Sequence, residues 1–359
     1  MLQKRTSRLT VAQLQALPKI DLHRHLEGSL RLETLVEIAR EFGLDLPAED
    51  VDSLRPHVQV TDDPPDHEVF LSKFGVLRLF YQSPETIYQL AYEAVADAAA
   101  DNIQYLELRF SPQALARVRG FKLNDVTDWV ITAVNQASID YNIKVSLIIT
   151  LVRHEPLYQA QQVAEIAYAR AGDGILGIDL AGDEVKFPPA PFIPIFKKAK
   201  DIGLGVTIHA GEWASAVGVR QAIEELYADR VGHGVRAVED SQVLHLINER
   251  QVALEICLTS NLQTGVIHSI EHHPLKDMMN LNLLATLNTD DPSVSDLTLT
   301  DEYEVAVNAL DFGYTELRKL ILNAAKVSFL PDDQRADLVK AFSRQLPENH
   351  YPTTSNSTL

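Results

Sequence analysis

Eight short segments rich in apolar and β-branched residues recur along the chain and predict eight strands. They lie at 19–25, 103–110, 144–150, 175–180, 204–209, 230–233, 252–257 and 284–290. Segments with apolar residues three or four positions apart separate most of them, as in 126–137 and 243–247, and this spacing is typical of amphipathic helices. Eight such alternations predict an α/β fold of the (β/α)8 (TIM) barrel type. A doubly wound sheet is the alternative, but no glycine fingerprint follows the first strand.

The first crossover, residues 29–102, is too long for a single helix. Its apolar pattern predicts three helices at 32–42, 67–80 and 84–101, with a Pro/Asp-rich loop at 61–66. We expect this helical insertion to lie above the barrel mouth as a lid. Phe70, Leu71 and Phe74 either line a pocket beneath the lid or form the buried stripe of its helix.

The pattern predicts one domain over residues 1–359. The segment 301–346 is expected to add C-terminal helices, and the tail 351–359, rich in Ser and Thr, is expected to be disordered. Hydrophobic residues make up 46% of the chain, so a large core can be buried.

Composition excludes several classes of function. The formal net charge of -18 argues against a nucleic-acid partner, because phosphate binding needs a basic surface. The single cysteine, Cys257, leaves no internal disulfide and no cysteine-based zinc cage. The start of the chain lacks the apolar core of a signal peptide, and no window has the ~18 apolar residues of a membrane span. We therefore expect a soluble cytoplasmic protein with no membrane partner.

Ionisable side chains cluster at the C-terminal ends of four predicted strands, where barrel enzymes hold their sites. These residues are His23 and His25 at the end of the first strand, His209 and Glu212 at the fifth, His233 at the sixth, and Asp290 and Asp291 at the eighth. His23 and His25 point the same way, because alternate side chains of a strand share a face. Three imidazoles and a carboxylate suit zinc, with a position left for water. Taken alone, the His-x-His pair is also explained by chance or by a satisfied surface pair.

Six motifs carry a resemblance that covers about residues 14–342. They are LHRHLEG at 22–28, GIDLAGDE at 177–184, IHAGE at 208–212, RVGHG at 230–234, LNTDDP at 287–292 and NAAKVSFLP at 323–331. In combination they resemble the adenosine deaminase family of metal-dependent amidohydrolase barrels. The resemblance implies one zinc ion per chain, bound by His23, His25, His209 and Asp290.

The resemblance also implies roles in deamination of adenosine, and of 2′-deoxyadenosine, to inosine and ammonia. Glu212 would protonate purine N1, so that zinc-bound hydroxide can attack C6. His233 would orient or deprotonate that hydroxide, and Asp291 would hold N7. The backbone N–H of Gly182 would reach N3, and the family places Phe70, Leu71 and Phe74 in the apolar wall under the lid.

Glu27 departs from the animal-type pattern, in which an aspartate holds the ribose 5′-hydroxyl. Two alternatives therefore keep the chemistry but change the substrate, to adenine or to 6-aminodeoxyfutalosine. A third alternative is a non-catalytic purine-binding protein, although all the expected ligands and Glu212 are present. A generic metal hydrolase of esters or amides gives no reason for the position of Glu212. The expected assembly is a monomer or a weak homodimer.

Other candidate residues have structural interpretations. Glu107 and Arg109 are expected to form a polar layer near the mouth, and His154 is expected to be structural. Cys257 is expected to be a small buried strand residue. The remaining candidates, His245, His268, His272 and His273, are expected to be solvated.

Overall fold

The computed structural model describes residues 8–47 and 49–348, so the predicted disordered tail lies outside the described residues. The strands are Lys19–His25 (β1), Ile103–Phe110 (β2), Lys144–Val152 (β3), Ile175–Ala181 (β4), Gly205–Ala210 (β5), Arg230–His233 (β6), Ala253–Ile256 (β7) and Leu284–Leu287 (β8). They form one sheet in the order β1 to β8, with every neighbouring pair parallel. The (β/α)8 prediction is confirmed.

Helices separate the strands and cover the outside of the sheet. They are Val11–Ala16 (α1), Leu32–Phe42 (α2), Val51–Val58 (α3), His67–Leu77 (α4), Pro84–Ala100 (α5), Pro112–Ala116 (α6), Leu123–Asp140 (α7), Leu157–Ala169 (α8), Ile193–Ile202 (α9), Ala216–Glu224 (α10), Ser241–Arg250 (α11), Leu258–Gln263 (α12), Leu275–Asn280 (α13), Pro292–Ser295 (α14), Leu299–Ala309 (α15), Tyr314–Val327 (α16) and Asp332–Gln345 (α17). Among the described residues, no helix combines the length and apolar character needed to cross a bilayer.

The two ends of the sheet meet through side-chain and loop hydrogen bonds. The backbone N–H of Leu22 donates to Asn288 Oδ1 at 3.0 Å. The N–H of Asp290 donates to the carbonyl of His23, and the N–H of His25 donates to the carbonyl of Asp290, both at 2.8 Å. Strand β8 ends at Leu287 rather than at the predicted residue 290, and the backbone of Asp290 turns into the left-handed region, with φ +64°. This closure places Asp290 between the two histidines of β1.

The described part of the insertion contains the three predicted helices and one more α-helix, α3. Pro56 lies inside α3, and an interior proline argues against a helix because it removes a backbone donor. The N-cap residue Asp50 offsets the cost of this proline. Its side chain accepts the N–H of Ser53 at 2.8 Å, and such a cap stabilises the start of a helix.

Hydrogen bonds fasten the lid to the loops at the barrel mouth. The N–H of Val60 donates to the carbonyl of Val294 at 2.8 Å, and the N–H of Asp66 donates to that of Gln263 at 3.0 Å. Asp66 then caps α4 by accepting the N–H groups of Glu68 and Val69. Helix α4 is thereby held where its apolar side chains face the site.

Phe329 lies at the opposite end of the barrel, after α16. A Cβ at Gly205 would lie 2.3 Å from its ring, and a Cβ at Gly177 would lie 2.6 Å from it. The guanidinium carbon of Arg230 lies 3.5 Å from the ring centroid, a cation–π contact. The two glycines therefore make the space that this aromatic ring fills.

Candidate functional site

The structure brings four of the predicted side chains to one point. One ligand atom from each of His23, His25, His209 and Asp290 lies within 4.8 Å of all the others. The Nε2 atoms of His25 and His209 are 3.2 Å apart, and Asp290 Oδ1 lies 3.2 Å from His23 Nε2 and 3.4 Å from His25 Nε2. In the tautomer with its proton on Nδ1, each of these imidazoles can offer its Nε2 lone pair to a cation held between them.

Two of these histidines are held by carboxylates behind them. His23 Nδ1 lies 2.7 Å from Glu255 Oε2, and His209 Nδ1 lies 2.9 Å from Asp179 Oδ1. A carboxylate accepts an N–H there, so each Nε2 presents its lone pair to the centre. His23 Nε2 is buried and makes no hydrogen bond. This donor set fits a zinc ion.

Arg109 connects the two supporting carboxylates. Its Nη2 donates to Glu255 at 2.9 Å, and its Nη1 lies 3.5 Å from Asp179. Arg230 donates to the other oxygen of Glu255. Burial opposes ionisation of Glu255, but the two guanidinium groups outweigh it and hold the pKa of this carboxyl well below its usual range. Arg109 and Glu107 are both fully buried in the barrel.

Glu212 and His233 face each other beside the histidine cluster. His233 Nε2 lies 3.6 Å from Glu212 Oε2 and 3.8 Å from Asp290 Oδ2. Burial, the charge of Asp290 and the charge of Glu184 raise the pKa of Glu212 well above its usual range. A raised pKa favours the protonated carboxyl, the form that can act as a hydrogen-bond or proton donor.

Glu184 organises the loop that holds Glu212. Its carboxylate accepts four consecutive backbone N–H groups, those of residues 211–214, at 2.8 to 3.0 Å. No sequence pattern assigns a role to Glu184. It lies in the GIDLAGDE motif, but its four partners are 27 to 30 residues further along the sequence, so no local pattern connects them.

Two more carboxyl groups face the same cavity. Asp291 Oδ1 and Glu27 Oε2 are buried without hydrogen-bond partners. Burial, followed by the charge of Asp290, raises the pKa of Asp291 well above its usual range. Burial also raises the pKa of Glu27 to about 7, and its Oε1 accepts the N–H of Ser111 at 2.8 Å. Both groups can bind a polar ligand that enters the cavity.

Gly28 allows Asp291 to occupy this position. A Cβ at Gly28 would lie 2.0 Å from Asp291 Oδ1, so any larger residue would displace the carboxyl. Gly182 lines the cavity and has φ +99°, a conformation that favours glycine.

The lid supplies an apolar wall to the cavity. Phe70, Leu71 and Phe74 all line it, and Phe70 is buried. These three side chains therefore line a pocket, which is the first of the two arrangements expected for them. His154 also lines this cavity, and its side chain is 41% exposed.

His273 is not solvated, and that prediction was wrong. Its residue is only 4% exposed, and its Nε2 lies 3.3 Å from Asn261 Oδ1. Asn261 in turn lies 3.1 Å from His233. Its sequence neighbours His272 and Glu271 are exposed, so burial changes sharply at His273. Cys257 is buried, as predicted.

Comparison with known proteins agrees with this geometry. The family model described as adenosine deaminase matches residues 18–344. An adenosine deaminase of Klebsiella pneumoniae (strain 342) is 40% identical over 331 residues, which cover 92% of this chain and 98% of that protein.

Two solved structures share the whole barrel. The crystal structure of an adenine deaminase from Arthrobacter aurescens is 29% identical, with a TM-score of 0.84, and covers 92% of this chain and 99% of its own. A zinc-bound amidohydrolase from Burkholderia ambifaria is 26% identical, with a TM-score of 0.84, and covers 95% of both chains.

Proposed function

The chain belongs to the adenosine deaminase family, and we propose that it hydrolyses adenosine and 2′-deoxyadenosine to the 6-oxo nucleosides and ammonia. One observation carries this proposal. A buried Glu212 carboxyl with a raised pKa faces His233 across 3.6 Å, directly beside the histidine and aspartate cluster. A 6-aminopurine needs a proton on its ring and a nucleophile at C6. Glu212 can supply the proton, and the adjacent cluster can hold a metal ion that would activate water as the nucleophile.

The metal is part of the proposal. His23, His25, His209 and Asp290 would hold one zinc ion per chain, and the zinc-bound relative from Burkholderia ambifaria supports that identity. Such an ion would polarise a water molecule and lower its pKa towards ~7.

Glu212 and Asp291 would act on the purine ring as protonated carboxyl groups. Glu212 donates its proton to N1, which makes C6 more electrophilic. Asp291 donates a hydrogen bond to N7, an acceptor that an ionised carboxylate would repel. In the net reaction, the water oxygen would bond to C6 and the bond from C6 to the amino nitrogen would break. One water proton would leave on that nitrogen as ammonia, and the other would restore the Glu212 carboxyl.

The remaining residues would position the substrate. The backbone N–H of Gly182 reaches N3, and Phe70, Leu71 and Phe74 exclude water from one side of the ring. Exclusion of water strengthens each polar contact inside the cavity. His233 lies beside Glu212 and acts on the oxygen that adds to C6.

Glu27 favours a second candidate function. Its unpartnered buried oxygen would face the N9 side of the purine, and it is one methylene longer than the aspartate of animal enzymes. The same chemistry on adenine or 6-aminodeoxyfutalosine is therefore the alternative, and the adenine deaminase from Arthrobacter aurescens is a structural relative. A non-catalytic purine-binding protein would have no need of the proton donor Glu212.

The test is a substrate panel with the zinc-loaded protein. Adenosine, 2′-deoxyadenosine, adenine and 6-aminodeoxyfutalosine are each followed by the ultraviolet absorbance change of losing the 6-amino group. We expect fast turnover of the two nucleosides, and turnover of adenine alone would move the function to the alternative. Glu212→Gln should lower kcat by at least ~10²–10⁴-fold with zinc retained, whereas Glu224→Gln on the exposed face of α10 should not.

We also propose that residues 1–359 form one domain that is a monomer or weak homodimer in the cytoplasm. The family match over residues 18–344 supports one domain, and the lone cysteine suits a reducing compartment. Light scattering after gel filtration tests the assembly.

A further inference from the structure

A chain of hydrogen bonds runs from helix α13 to His233. The backbone N–H of Leu275 donates to His273 Nδ1 at 3.0 Å. His273 Nε2 lies 3.3 Å from Asn261 Oδ1, and Asn261 Nδ2 lies 3.1 Å from His233 Nδ1. The three side chains are buried, with His273 4%, Asn261 0% and His233 1% exposed. Water does not compete for these contacts.

The direction of the chain follows from its first member, because a backbone N–H can only donate. His273 Nδ1 must therefore accept, and a neutral imidazole then has its proton on Nε2. Asn261 Oδ1 accepts that proton, so the Asn261 amide nitrogen faces His233 and donates to it. His233 Nδ1 is left as an acceptor.

We propose that His273 is a positioning residue, which acts through Asn261 to fix the side-chain proton of His233 on Nε2. The catalytic consequence rests on the proposed deaminase function, whereas the tautomer itself does not. The hydrogen bond at one imidazole nitrogen sets the protonation of the other. Burial lowers the pKa of His273 to about 3, so this residue stays neutral through the range in which enzymes work.

The fixed proton decides what His233 can do. Its Nε2 faces the space between Glu212 and Asp290, at 3.6 Å and 3.8 Å. With the proton on that atom, His233 donates a hydrogen bond to the oxygen that adds to C6. It does not take a proton from that oxygen. Family resemblance left two roles open for His233, orientation and deprotonation of the hydroxide. This series of hydrogen bonds selects orientation.

The first test measures the tautomer in the wild-type zinc-loaded protein. Histidine labelled with ¹⁵N gives separate long-range ¹H–¹⁵N correlations for the two ring nitrogens, and the spectra of His233→Gln and His273→Gln assign the signals. We expect a protonated Nε2 and an unprotonated Nδ1 in both residues. A proton on His233 Nδ1 would overturn the proposal. Because no substrate is present, this result is independent of whether the protein deaminates adenosine.

The second test compares two substitutions of the same residue. His273→Gln keeps an N–H donor near the position of Nε2, and His273→Leu removes it. We expect His273→Leu to lower kcat ~10–100-fold with KM and zinc content changed less than about threefold. His273→Gln should regain most of the loss and keep the His233 proton on Nε2. His272→Leu, at the exposed neighbouring residue, is the control and should leave kcat unchanged.

Three outcomes would contradict the proposal. One is unchanged kcat in His273→Leu, and another is an equal loss in the Leu and Gln variants. The third is a loss of kcat in His273→Leu with the His233 tautomer intact, since that is the result of a purely structural residue. If His273→Leu does not fold, the wild-type spectrum still tests the proposal, because it shows directly which nitrogen of His233 carries the proton.

Discussion

The carboxylate of Glu184 accepts the backbone N–H of Glu212 at 2.8 Å. It also accepts the N–H groups of Gly211, Trp213 and Ala214. A carboxylate is well suited to this task, since both oxygens only accept and charge-assisted hydrogen bonds are the stronger ones. Glu184, in the loop after β4, therefore sets the position of Glu212, the proposed proton donor in the loop after β5.

Replacing Glu184 by glutamine should disturb Glu212 without removing any metal ligand. The amide nitrogen would have to face an N–H of the loop, which leaves one backbone donor unsatisfied. We expect kcat to fall ~10–100-fold while zinc content stays the same. Steady-state kinetics and metal analysis measure this, with Glu165→Gln, in an exposed ion pair with Lys198, as the matched control. Unchanged kcat would show that the loop holds its shape without Glu184.

Gly28→Ala should separate substrate binding from metal binding. The new Cβ would lie 2.0 Å from Asp291 Oδ1, so the carboxyl must move away from the purine position. A displacement of about 1 Å can reduce rate ~10²-fold, and we expect a loss of that size in kcat/KM with zinc retained. Gly75→Ala is the control, because nothing lies within 4 Å of its Cβ position. Equal activity in both variants would argue against a role for Asp291.

Glu255→Gln should weaken both metal binding and the fold. Glu255 supports His23 and neutralises the buried Arg109 and Arg230. Breaking such a buried group of charges costs about 3–5 kcal/mol of unfolding free energy, and loss of the partner of a metal-binding histidine weakens affinity ~10–100-fold. Denaturant unfolding and competition with a chelator measure the two effects. The exposed Glu249→Gln should show neither.

His273 should also contribute to acid sensitivity. The unfolded chain protonates this side chain near its ordinary pKa of about 6.5, whereas burial lowers the folded pKa to about 3. The unfolded state thus binds more protons between these values, and unfolding free energy falls as pH falls, by about 1.4 kcal/mol per pH unit. The His273→Gln variant lacks this titrating group. Its unfolding free energy, relative to that of the wild type, should therefore rise as the pH falls from 6 to 4. If the unfolding free energies of the two proteins changed with pH in parallel, the folded pKa of His273 would lie near its unfolded value. That result would contradict the prediction.

Sequence patterns located the strands because most of them are short segments rich in apolar residues, and the ionisable residues at their C-terminal ends indicated the candidate site. Helix α3 was missed because it is short and contains Pro56. Glu184, Asn261 and His273 were missed for another reason. Their roles depend on hydrogen bonds to residues that are distant in the sequence or that belong to no motif. Neither periodicity nor composition encodes such contacts. Family resemblance supplied roles for His233 and Glu212 but not the groups that hold them.

His233 and Asp290 both have left-handed backbones, with φ +62° and +64°. For residues other than glycine this conformation costs roughly 1–2 kcal/mol each. Glycine would relax either position, yet glycine has no imidazole and no carboxylate. A search for a more stable variant of this protein would therefore favour substitutions at the very positions that the chemistry needs. Stability screens alone would lead towards an inert barrel, so engineering of this chain should select for turnover and thermal resistance together.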